Sequence, residues 1–311
     1  MITEHDLRTS SAGDTPGARS VAAPSRARSR LRSLRTAAPL LPFFAYVALG
    51  LGVPTVVIIN LAFRGNNGHL TMSNIDTITS GGVYLLGFET SLKLAAITSV
   101  LPAILGTILA YVIATSRFTL LRRVVATASG VFANFGGVNL AFMFIATIGF
   151  RAIVTGFLAR LGFNPWNHGF DLYKFWGVVL VYLYFQIPLM VLIITPAIEG
   201  LKLSWREAAQ NLGASSWQYW RRVGLPVLMP SVLGSTLLLF GSALSAYATA
   251  EAQTGGTILL MPIQIGAFLN GNVLAGGTNI GYALGFAMIV MMLVSVVGYV
   301  LMQRRATRWL R

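Results

Sequence analysis

Six long apolar stretches constrain this chain more than anything else in it: Leu40–Phe63, Leu92–Thr115, Val124–Phe150, Trp176–Ile198, Val227–Ala250 and Ile280–Met302. About 20 apolar residues suffice for a helix to cross a hydrocarbon core of roughly 30 Å. In lipid each backbone N–H and C=O must find its partner inside the protein, so such stretches are expected to be helices. The predicted fold class is therefore an all-α integral membrane protein with six transmembrane helices. Only 10% of the 311 residues are charged, against about 25% in an ordinary soluble domain. That composition excludes a soluble enzyme.

A net charge of +14 invites a nucleic-acid partner, but the basic residues stand in short groups between apolar runs, not along one face. They read instead as topology signals, and no nucleic acid is expected. Six spans place both termini on one side. With that side cytoplasmic, 18 of the 23 basic residues fall on it: seven arginines before residue 37, Arg117, Arg122 and Arg123 after the second span, Lys202, Arg206, Arg221 and Arg222 after the fourth, and four arginines beyond residue 303. The bias predicts cytoplasmic termini. Residues 1–36, mostly Ser, Ala and Arg, carry too little apolar surface to fold and are expected to be a disordered basic tail. Residues 37–303 form the membrane domain, and 304–311 a second basic tail. The first apolar stretch is too long for the h-region of a signal peptide and is read as a span.

The chain has no cysteine, so disulfides and thiolate chemistry are excluded. None of its lysines, Lys93, Lys174 and Lys202, follows a glycine as a phosphate-cradling P-loop requires. His5, His69 and His168 lie in the tail and loops with no paired-histidine metal motif, and every aspartate lies outside the spans. No catalytic residue, metal or cofactor site is expected. Pro102, Pro188 and Pro230 fall inside spans two, four and five, where each frees a carbonyl that a neighbouring helix or a wet cavity must satisfy.

Between spans four and five, residues 199–226 form the most informative segment. Leu201 to Leu212 reads as a short helix with Ser204 as N-cap, Glu207 as its capping-box partner and Gly213 as the stop. A second helix, Ser215 to Val223, leads to Leu225-Pro226. Ala208, Ala209, Gly213 and Ala214 make the elbow small, with nothing bulky expected at the tip.

The pattern Glu207-Ala208-Ala209, three residues, Gly213, nine residues, Val223, one residue, Leu225-Pro226 is similar to the coupling-loop signature of binding-protein-dependent ABC importer permeases. Val223 stands where that family usually has Ile. The resemblance implies a prokaryotic inner-membrane permease that forms the solute pathway and hydrolyses nothing itself. It implies a cytoplasmic coupling helix that docks on a cytoplasmic ABC ATPase dimer through Glu207, Ala208, Ala209, Gly213, Ala214, Leu225 and Pro226, with ATP bound by that partner. It further implies a second permease chain, identical or homologous, and an extracytoplasmic solute-binding protein, all within membrane lipid.

Within that superfamily the layout and the region Leu244 to Gly256 resemble the polyamine-type permeases, whose relatives also carry aminoethylphosphonate and ferric iron. The chain departs from the polyamine pattern after span five: Ala246 precedes Tyr247 where an acidic residue is common, and Glu251 is displaced. A small polar or cationic solute such as a polyamine is the expected cargo. Asn134, Asn139, Ser245, Tyr247 and Glu251 are candidate pathway-lining residues, although helix-to-helix hydrogen bonding accounts for the uncharged ones equally well. An ion-coupled secondary transporter is the competing class. It needs ionisable groups deep in the membrane, and only Lys93 and Glu251 are read as near a span, both at its outer end. A purely structural or channel subunit would leave residues 207–226 without a purpose.

Overall fold

The computed structural model describes residues 41–65, 67–80, 82–271 and 278–307. The tail 1–36, the glycine pair 276–277 and residues 308–311 lie outside the described residues. Among those described, every regular element is a helix, and six helical segments are long and apolar enough to cross a membrane: Pro42–Ala62, Val83–Thr115, Val138–Arg160, Phe175–Glu199, Ser216–Ser245 and Asn279–Leu301.

The chain divides into two units, Met1–Thr55 and Val56–Arg311. In the first, α1 (Leu41–Val47) passes through a π-helical turn, Ala48–Gly52, into the opening residues of α2 (Val53–Ala62). Phe43, Phe44, Tyr46, Leu49 and Leu51 are all exposed, as suits a helix whose solvent is lipid.

The second unit is organised around α8 (Phe175–Glu199), which packs against α4 (Val83–Thr115), α5 (Thr119–Asn134) and α11 (Leu225–Ser245). Without a hydrophobic driving force between helices in lipid, close approach comes from small residues. Here Ala103, Gly106 and Ala110 form a buried seam on α4. A Cβ on Gly106 would stand 2.7 Å from Met190 Cβ and 3.1 Å from the Ile187 carbonyl of α8, so only glycine allows this crossing. Around it lie α3 (Ser73–Thr79), α6 (Val138–Ile148), α7 (Ile153–Arg160), α9 (Leu203–Asn211), α10 (Ser216–Tyr219), α12 (Tyr247–Thr254), α13 (Met261–Leu269) and α14 (Thr278–Thr307).

Several expected boundaries are corrected. The second span starts at Val83, not Leu92, because α13 buttresses its first turns: Gln264 Nε2 donates to the Val83 carbonyl at 3.0 Å, and Ser91 Oγ accepts from the Met261 N–H at 2.8 Å. This brings Glu89 into α4 beside Lys93, with which it pairs at 2.5 Å, while Glu199 closes α8. The count of charges near spans is therefore larger than Lys93 and Glu251.

The stretch Val124–Phe150 is not one helix. It breaks at Phe135–Gly137, where Gly137 adopts φ +75°, leaving α5 on one side and α6 on the other. The freed Gly137 N–H is satisfied by Thr249 Oγ1 at 2.9 Å, which is how a break survives at membrane depth. Span five ends at Ser245 instead of Ala250. At the C-terminus α14 continues to Thr307, so Arg304 and Arg305 are helical. By contrast α4, α8 and α11 run through Pro102, Pro188 and Pro230 without ending.

Candidate functional site

Two regions draw the candidate residues together: a knob between α8 and α11, and a cavity where α5, α6, α11 and α12 meet.

The knob starts where α8 ends at Glu199. Lys202 is extended (φ −67°, ψ 129°), and α9 begins at Leu203. Ser204 is thus already inside the first turn, and the expected Ser204–Glu207 capping box does not form. At the other end the stop is as expected. Gly213, at φ +75°, donates to the Gln210 carbonyl, and Ala214 donates to that of Ala209, both at 2.9 Å. This is the paired-bond pattern of a glycine-terminated helix, and an L side chain at that φ costs about 1–2 kcal/mol. The motif glycine therefore has a physical function: it closes α9 and turns the chain.

A capping box does exist one helix later. Ser215 Oγ accepts from the Gln218 N–H at 3.2 Å, and Gln218 Oε1 accepts from the Ser215 N–H at 2.8 Å. The expected separate second helix is corrected too: α10, a π-helical turn (Trp220–Gly224) and α11 run on from one another. Pro226, which has no N–H to give an α-helical bond, stands two residues after the end of that wider turn. The Trp220 ring lies against Gly224, where a Cβ would come within 2.7 Å of it, and meets Tyr111 of α4 edge-on at 4.9 Å.

Glu207, Ala208 and Gly213 are exposed, Ala209 and Ala214 half-buried, Leu225 exposed and Pro226 half-buried. Contrary to the expectation of a small tip, Leu212 is 87% exposed and Trp217 73% exposed. Both project from an otherwise polar segment. Sequence reasoning passed over both residues because it weighed only the small positions of the motif.

The cavity, about 380 Å³, is lined by Ala133, Asn134, Gly136, Gly137, Phe185, Ser242 and Ser245 to Thr249. It brings together three of the five candidate pathway residues. Asn134 Nδ2 donates to the Gly130 carbonyl at 2.8 Å, Ser245 Oγ to that of Ser242 at 3.1 Å, and the Tyr247 ring rests against Gly266 of α13. Asn139 and Glu251 do not line it. Asn139 is exposed on α6, and Glu251 is half-buried one turn beyond Tyr247 with Oε2 buried and unpartnered among the described residues.

Two donors from α8 bond the backbone of the segment that runs past the cavity. Tyr182 OH donates to the Ala246 carbonyl at 2.7 Å, at the joint between α11 and α12, and Gln186 Nε2 donates to that of Leu239 at 3.3 Å. Sequence reading missed Tyr182, Ser242, Thr249 and the Gly136-Gly137 break. The glycine pair inside an apolar run was the one available signal.

With this geometry in view, comparisons with known proteins are informative. Residues 103–311 match the family model described as binding-protein-dependent transport system inner membrane component. A probable sulfate transport system permease protein, cysT, of Anthoceros angustus is 26% identical over 191 residues, 60% of each chain. The spermidine/putrescine transport system permease protein PotC of Escherichia coli K12 is 27% identical over 134 residues, 43% of this chain and 49% of that one. The chain thus spans about 60% or less of the length of these relatives. Among solved structures, that of a bacterial ABC transporter involved in the import of the acidic polysaccharide alginate shares the fold, with a TM-score of 0.72 and 18% identity over 89% of this chain and 98% of that one. The match of 103–311 takes in both the knob and the cavity, and this chain belongs to the family of binding-protein-dependent transport system inner membrane components.

Proposed function

We propose that this chain is the permease subunit of an ATP-driven importer, lying across the plasma membrane of a prokaryote with both termini in the cytoplasm. It forms the solute pathway and takes its power from a separate ATPase. The observation that carries this reading is the continuity of the knob with the cavity wall. The exposed turn at Gly213 leads through the capped Ser215 directly into Ser216–Ser245, whose far end lines the cavity at Ser242 and Ser245. A push on the knob is delivered to the pathway along one helix, a rigid-body route of the kind interfaces support.

The partners follow from the same reading. Glu207, Ala208, Ala209, Gly213 and Ala214, with the apolar Leu212 and Trp217 beside them, form the face that docks on an ABC ATPase, two of which serve two permease chains. Leu225 and Pro226 set the junction behind that face. An extracytoplasmic binding protein delivers the cargo, a role supported by the alginate importer solved in complex with its pentasaccharide-bound periplasmic protein.

For the cargo we infer a small polar solute. The spermidine/putrescine relatives support a polyamine, and the sulfate relatives support an oxyanion; aminoethylphosphonate and ferric iron stand behind them. The cavity offers amide, hydroxyl and backbone groups and no ionised side chain, so charge selection falls to the binding protein. The test is isolation of the tagged chain from native membranes in mild detergent with identification of what accompanies it. Recovery of a P-loop ATPase, lost from a Gly213→Trp variant, supports the reading; recovery of intact, folded chain alone overturns it. Uptake of labelled putrescine against labelled sulfate then separates the two cargo classes.

A further inference from the structure

A second cavity of about 380 Å³ lies at the other end of the pathway helices, between the last turns of α4 and α8, the start of α5 and the base of the knob. Its chemistry differs from that of the first. Arg122 of α5, Lys202 before α9 and Arg206 on α9 converge on it from separate elements, and Glu199 is the one acid in the lining. Glu199 is taken by Arg122 in an ion pair. Lys202 and Arg206 have no acidic partner among the described residues. The cavity therefore holds two uncompensated positive charges. Tyr111 and Trp220, edge-on to each other, form its apolar wall.

The geometry points to a binding site for a phosphate group, presented by the headgroup of an anionic lipid at the membrane surface. Depth supports this: α4 and α8 are apolar enough to span a bilayer and end here at Thr115 and Glu199, so the site stands at headgroup level, where aromatic residues also concentrate. Arginine presents a planar fork that matches phosphate oxygens, and lysine adds a point charge. Basic pockets between membrane helices bind anionic headgroups in the same way. Occupation would compete with Glu199 for Arg122, so the anion and the Arg122–Glu199 pair are alternatives. A bound headgroup would also tie Lys202 and Arg206 of the knob to α5. The consequence for coupling rests on the proposed function, whereas the binding itself does not.

The test uses the full chain, purified in mild detergent and examined by native mass spectrometry with added phosphatidylglycerol, phosphatidylcholine or inorganic phosphate. Retention of phosphatidylglycerol over phosphatidylcholine is expected, falling about fivefold for each charge removed in Lys202→Gln and Arg206→Gln. Glu199→Gln should raise retention by a similar factor, an effect of opposite sign that a merely damaged fold does not give. Arg151→Gln with Arg160→Gln, exposed arginines on and beside α7, serves as the control and should leave retention unchanged. Competition by millimolar inorganic phosphate would make free phosphate the source, and its absence would make it the lipid. Equal retention of both lipids without any binding of phosphate, or equal loss in the control, overturns the site. Because binding is read without the ATPase, its failure is distinguishable from failure of the importer reading.

Discussion

The knob and the cavity stand at the two ends of one helical run, and they are built in opposite ways. The knob is local: its turn, its two bonds at Gly213 and its cap at Ser215 all join residues within five positions of each other. The cavity is assembled from afar, with Gly137 held by Thr249 across 112 positions and Ala246 held by Tyr182 across 64. In the proposed importer, a contact surface for a separately folded partner must keep its shape unaided, so local bonds suffice and spacing in the sequence records them. A pathway that opens and closes needs walls from helices able to move against one another, and those walls leave no local pattern.

The largest effect expected from this contrast is at the knob. Glu207→Arg or Gly213→Trp should leave membrane insertion unchanged while lowering uptake on the order of tenfold or more, the scale on which interface anchors act. Uptake in cells, normalised to protein in the membrane fraction, measures it. Unchanged uptake in both variants would remove the knob from the mechanism.

Thr249→Val comes next. It preserves volume but strips the partner from the half-buried Gly137 N–H, at a cost of about 1 kcal/mol. Thermal unfolding in detergent should show the loss, and uptake should fall while co-purification of the ATPase does not. If the ATPase is lost as well, the cavity and the knob are not separable and the contrast fails. Tyr182→Phe is milder, about 0.5–1.5 kcal/mol, since it removes a single neutral hydrogen bond to Ala246 and keeps the ring in its packing. It should loosen the joint between α11 and α12, read as faster hydrogen exchange near Ala246 with little change at Gly213.

The same contrast explains what the sequence disclosed. The six apolar stretches predicted six spans, and the fixed distance from Glu207 to Pro226 pointed to the knob. The third span was misread because apolarity is continuous across Gly136-Gly137. Gly137 turns the chain at φ +75°, and the hydroxyl from α12 that satisfies the N–H so freed lies outside any window centred on residue 137. The start of α4 was misread for a similar reason: residues 83–91 are less uniformly apolar and are held as helix by the bonds that Val83 and Ser91 accept from Gln264 and Met261 of α13. Leu212 and Trp217 were passed over because only the small positions of the motif were weighed, and the structure shows that these two side chains have no interior to face.

The smallest expected effect sharpens the comparison most. Ser215 and Gln218 form a capping box at the start of a helical run that continues for 30 residues to Ser245. Removing a cap costs about 0.5–2 kcal/mol, and here the low end applies, because fraying one exposed turn leaves the rest of the run and its packing against α4 and α8 intact. Ser215→Ala should therefore reduce uptake less than twofold and leave the unfolding temperature nearly unchanged. If uptake instead falls as far as in Gly213→Trp, the first turn of α10 is itself part of the docking face. The lever would then begin at Ser215, and Trp217, exposed two residues on, would become the next side chain to truncate.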